Sequence, residues 1–118
     1  MNKFEKLKVW QESLVLVQKI YTLSGRLPRS EERNLIDQIK RSTVSVSLNI
    51  AEGSGAENDK EFKRYLNVAK KSITEVQATL KIIDFLYNIK VEEVETKALE
   101  ILKMLNGLIK YLKRKSEN

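Results

Sequence analysis

Apolar residues recur along this chain at alternating steps of three and four, the spacing of helices that pack on other helices. Leu7, Trp10, Leu14, Val17 and Tyr21 carry it in the first segment. Leu35, Ile39, Ser42, Val46, Asn49 and Gly53 follow it in the second. The third has the clearest series, Phe62, Leu66, Ala69, Ile73, Val76, Leu80, Ile83 and Tyr87. The fourth runs through Val91, Val94, Ala98, Ile101, Leu105, Leu108 and Leu112. This predicts helices at about 4–25, 31–53, 59–88 and 91–114 within one domain, 1–118. Short connections make sequential neighbours antiparallel, so the expected fold is all-α, an up-down-up-down antiparallel four-helix bundle.

Punctuation supports these limits. Pro28 stops the first segment, and Ser30 is a candidate cap for the second. Asn58 with Glu61 three residues later predicts the start of the third, and Asn88 suits a left-handed stop. Gly107 lies inside the fourth helix at a cost of about 1 kcal/mol relative to Ala, for which a close backbone approach is one reason. Ser42 and Ala69 form a small pair that brings the second and third helices together.

One stretch departs from the helical pattern. In "TVSVSLNIAEGSG" the apolar residues alternate with polar ones, as in a half-buried strand. At about 100° per residue, Val46 faces the core while Val44, Leu48 and Ala51 fall on nearly the opposite side. The alternation is thus a helix with two apolar faces. The first serves the bundle, and the second predicts a contact with another subunit; coverage by the first or fourth helix is the plainer alternative. Val15, Leu16, Leu23, Ile82, Phe85 and Leu86 also exceed what one seam needs. Between the two faces runs a polar edge of Gln38, Arg41, Ser45, Asn49 and Glu52. Ser72 and Glu75 share a flank of the third helix, and a hydrogen-bonded network at a helix or subunit junction is expected from the two sets.

The balance of 22 Lys and Arg against 16 Asp and Glu, net charge +6, suits an anionic partner such as RNA or DNA. Lys60, Lys63, Arg64, Lys70, Lys71 and Lys81 mark the outer side of the third helix, where a phosphate backbone could lie. Lys103, Lys110, Lys113, Arg114 and Lys115 form a second basic run. Aromatic platforms for base stacking are few, because Trp10, Phe62 and Tyr87 are assigned to the core and only Tyr65 and Tyr111 are left. Recognition by shape and phosphate follows.

The chain has no His and no Cys. That removes the thiol nucleophile, the imidazole base and the common zinc ligands, so no catalytic residue, metal or cofactor is expected. No apolar run suggests a membrane span, and the first residues lack a signal peptide's apolar stretch, so a cytoplasmic location is expected.

Four stretches carry a family resemblance: "FEKLKVWQESL", "LPRSEERNLIDQIKRSTVSVSLNIAEG", "EFKRYLNVAKKSITEVQATL" and "KMLNGLIKYLK". With Gln38, Ile39, Arg41 and Asn49-Ile50-Ala51-Glu52-Gly53, the chain resembles the four-helix-bundle proteins encoded in intervening sequences of bacterial 23S rRNA genes, the S23 type. Lys40 stands where many members have Arg, and Lys90 where a capping Ser or Thr is usual. The resemblance implies a homo-oligomer, a pentameric ring, and kinship with the accessory variability determinant of diversity-generating retroelements. From that kinship comes the alternative role, a scaffold for a partner protein such as a reverse transcriptase.

Overall fold

The computed structural model describes residues 2–117, with side chains for residues 2–115. Among these, four α-helices run α1 Lys8–Ser24, α2 Leu35–Ser54, α3 Asp59–Tyr87 and α4 Glu92–Glu117. Each packs antiparallel on the next, and α1 also meets α4, which closes a bundle of 50 × 24 × 19 Å. α2 with α3 is the most extensive pairing.

The helix ends follow local chemistry. Asn58 caps α3 by accepting a hydrogen bond from the Glu61 amide at 2.9 Å. Asn88 ends it with φ 52°, the left-handed stop that asparagine tolerates. α2 differs from expectation: Ser30 is not its cap. Pro28 instead leads a 3-10 turn, Arg29–Glu31, and α2 begins only at Leu35. That turn is anchored on α3, because the Tyr87 hydroxyl donates to Glu31. This bond holds the Glu31 carboxyl below the ordinary carboxylate range and raises the Tyr87 phenol. The first residues also form a 3-10 turn, Lys3–Lys6, before Leu7 extends and α1 starts.

α3 and α4 bury the residues their periodicity assigns, except that Phe62, Tyr87 and Leu108 are only half-buried. α1 does not. Its buried line is Val9, Ser13, Leu16, Ile20 and Leu23, while Leu14 and Tyr21 are nearly half exposed. Trp10 is half-buried, its ring edge-on to Phe4 at 4.8 Å. The expected seam is displaced because hydroxyl residues, Ser13 and Ser24, hold buried places on the true one. Ser13 Oγ meets Ser47 Oγ at 2.8 Å between α1 and α2. Ser24 and Thr43 return their hydroxyls to carbonyls one turn back, at 2.8 and 2.6 Å. Small hydroxyl side chains satisfied in this way let two helices approach without leaving a buried donor unpaired. Leu16 and Leu23, counted above as surplus apolar surface, therefore belong to the core.

On the other side of α1, Lys97 reaches Glu12 at 2.6 Å, both side chains mostly covered, and Glu100 at 3.1 Å. The hydrogen bond from Lys97 lowers the Glu12 carboxyl below its ordinary value, and the same bond raises Lys97. A depressed carboxylate stabilises above its unfolded pKa and loses that effect as pH falls through the folded one. A raised ammonium stabilises below its unfolded pKa and loses it as pH rises through the folded one. Glu12→Gln should therefore lower the melting temperature most at neutral pH, and the gap from wild type should close toward acid. A gap that stays constant down to pH 3 would exclude the ion pair as its source.

Gly107 serves no close approach within the bundle. A Cβ built there meets nothing within 4 Å. Gly107→Ala should consequently stabilise the protein by about 1 kcal/mol, read as a higher urea midpoint. A lower midpoint would mean that the space above it is not free.

Candidate nucleic-acid interface and polar seam

The six basic residues assigned to α3 are not equivalent in the structure. Lys60 and Lys71 are exposed, Lys63 and Lys70 half-buried, and none of these four pairs with a carboxylate among the described residues. Arg64 is engaged: it bonds Glu61 at 3.0 Å and lies 4.8 Å from the Tyr65 ring centroid. The Glu61 bond raises its pKa further above an already high value. Lys81 lies near the far end of α3 and pairs with Glu95 of α4 at 2.8 Å, which raises it too.

Two contacts set the register of the α3–α4 hairpin, Lys81 with Glu95 and Lys115 with Asp59 at 3.5 Å. By that register the basic run of α4 lies beside the N-terminal half of α3. Lys63 comes level with Lys110 and Lys113, and Lys70 with Lys103. The two runs, some 40 residues apart in sequence, thus lie at the same end of the hairpin. Around it the charge is lopsided. The half of the bundle built from residues 2–15, 45–73 and 103–117 holds thirteen Lys and Arg against seven Asp and Glu. The other half, 16–44 and 74–102, holds nine of each, so the whole net charge of +6 belongs to one end.

The polar edge of α2 resolves into two clusters along the α2–α3 seam. In the first, Ser45 Oγ meets Ser72 Oγ at 2.9 Å, and the Asn49 amide donates to the Ser45 carbonyl at 2.8 Å and to its hydroxyl at 3.1 Å. In the second, Gln38, Arg41 and Glu75 line an open polar depression of about 280 Å³, where Arg41 pairs with Asp37. Glu52 is exposed and joins neither. Both clusters are accessible in the single chain.

Next to the seam, Leu48 is 60% exposed, while Val44 and Ala51 are half-buried. With Tyr21, Lys40 and Asn49, Val44 and Leu48 line a shallow apolar groove of about 360 Å³, and Lys40 caps the Tyr21 ring at 4.5 Å. A second apolar group, Ile82, Phe85 and Leu86, projects from the end of α3, with Phe85 87% exposed.

Among the described residues no group of three His, Cys, Asp or Glu side chains is placed to hold a metal ion. Among the same residues no helix is long and apolar enough to cross a membrane. Of the two aromatic rings left for base stacking, Tyr111 is 59% exposed within the basic half and Tyr65 is half-buried.

The profile of the 23S rRNA-intervening sequence proteins matches this chain over residues 5–107. Among solved structures, the chain is similar to a crystal structure of a protein with unknown function from the S23 ribosomal protein family of Bacteroides thetaiotaomicron VPI-5482. The two share 29% sequence identity and a TM-score of 0.79, over 86% of this chain and 98% of that one. No curated protein matches significantly.

Proposed function

This chain belongs to the 23S rRNA-intervening sequence protein family, and from that premise we propose that it is a non-enzymatic homo-oligomeric bundle that associates with RNA through its basic half. One observation carries the reading: the net positive charge is confined to the end where the basic rows of α3 and α4 lie side by side. Two rows of cations on neighbouring helices, about 10 Å apart, suit a phosphate backbone lying along the hairpin. Lys60, Lys63, Lys70 and Lys71 are its contacts on α3. Arg64 and Lys81 contribute less, because each already has a carboxylate partner.

Exposed Leu48 and its flank support self-association, since apolar patches beside polar rims mark contact sites. The pentameric ring is the form that the family resemblance implies. Val44, Leu48 and Ala51 would be covered in it, and the Ser45–Asn49–Ser72 cluster would lie at its edge. Light scattering checks the assembly, and a strict monomer at moderate concentration would end this part of the proposal. Phe85, at the opposite end from the basic rows, favours a second reading in which the assembly docks a partner protein, such as a nucleic-acid enzyme.

The experiment for RNA is filter binding of the purified protein to a structured RNA at rising salt. With about four phosphates neutralised, the logarithm of the association constant should fall by about 3 for each tenfold rise in salt. Binding that ignores salt, or no binding at low salt, would overturn the RNA reading and leave the partner-protein reading.

A further inference from the structure

Mid-helix glycine weakens α4, and nothing in the bundle repays it, because the space above Gly107 is open. One turn further on is Tyr111, the largest exposed aromatic ring in the basic half. Helical side chains lean toward the preceding turn, so the Tyr111 ring lies toward Gly107 without filling the space above it. Lys103, Lys110 and Arg114 complete the surroundings. They stand four residues before, three after and seven after Gly107, on the same solvent-facing side of α4. All three are exposed and none pairs with a carboxylate among the described residues.

A bare backbone bed, an aromatic wall and three cations on one helix face have the chemistry of a nucleotide subsite. We propose that the outer face of α4 around Gly107 takes one unpaired nucleotide of a single-stranded RNA segment. The base lies over Gly107 and stacks on Tyr111, and Lys103, Lys110 and Arg114 hold the flanking phosphates. Glycine is required because any longer side chain would occupy the place of the base. A stacked aromatic does not choose between bases, so the subsite reads single-strandedness and not sequence. The inference rests on the RNA reading above and adds to it, since phosphate contact along α3 and α4 alone would favour no such segment.

The test compares a short labelled oligouridine with an RNA duplex of the same length, by fluorescence anisotropy, on four proteins: wild type, Tyr111→Phe, Tyr111→Ala and Gly107→Gln. Stacking lost by alanine substitution corresponds to about 5- to 150-fold in affinity. Tyr111→Ala and Gly107→Gln should each lose that much for the oligouridine and keep their duplex affinity within about twofold, while Tyr111→Phe stays near wild type. Gly107→Gln also raises helix propensity, so its loss cannot come from unfolding. Oligouridine binding unchanged in both Tyr111→Ala and Gly107→Gln would overturn the subsite and leave the basic face standing. Failure of the wild type to bind either RNA would overturn both.

Discussion

Gly53→Val is expected to destabilise this protein by about 3 kcal/mol, the upper end of overpacking costs. α2 lies tight against α3 here. A Cβ on Gly53 would lie 2.8 Å from Tyr65 Cβ, 2.9 Å from Phe62 Cδ1 and 3.3 Å from the Phe62 carbonyl oxygen. Turning the Phe62 ring relieves one of these contacts. The other two involve atoms fixed to the α3 backbone, so relief requires the helices to separate, and that separation strains the neighbouring Ser45–Ser72 bond and the buried Val46 and Leu66. Even Gly53→Ala should destabilise, although alanine is the better helix former by about 1 kcal/mol. Gly107→Ala supplies the control, since the same chemical change in open space should stabilise. Urea unfolding of both variants gives the answer. If Gly53→Ala raised the midpoint as Gly107→Ala does, the close crossing of α2 and α3 would be disproved.

The two glycines also show where sequence reading reached and where it stopped. Gly53 falls on the seam of the second helix and Gly107 lies inside the fourth helix off its seam, but spacing alone does not say how closely a neighbouring helix approaches either one. α3 was legible because an unbroken apolar series is bounded by asparagines at both ends, and each of those features acts locally. α1 was not, because Ser13 and Ser24 hold buried places while Leu14 and Tyr21 face outward. A periodicity built on apolarity shifts to the wrong stripe when hydroxyls satisfied by a neighbouring helix or the preceding turn do the packing. The start of α2 was misplaced for a related reason: Glu31 is held by Tyr87, 56 residues away, and no local cap rule registers that partner. The residues of the polar edge were picked out by angle and by family resemblance. Their division into a serine–asparagine cluster and an arginine–glutamate depression needed the register of α2 on α3.

Reversing Lys63, Lys70 and Lys110 to Glu should weaken RNA binding by about two to three orders of magnitude at low salt and cut the salt slope from about three to about one. From sequence the natural targets were the adjacent charges of α3, Arg64 among them. The structure moves the choice: Arg64 is occupied by Glu61, whereas Lys110 lies across the hairpin from Lys63. A triple variant drawn from both helices removes contacts from both rows, and each new carboxylate also repels the phosphate it faces. The decisive comparison is Arg26, Arg33 and Lys90 reversed together in the half that holds nine charges of each sign. That variant carries the same net charge as the first, so long-range attraction falls equally in the two. If binding depends on the joined rows, the second variant keeps most of its affinity and nearly all of its salt slope. Equal losses would mean that RNA answers only to total charge, and the basic half would then be no site at all.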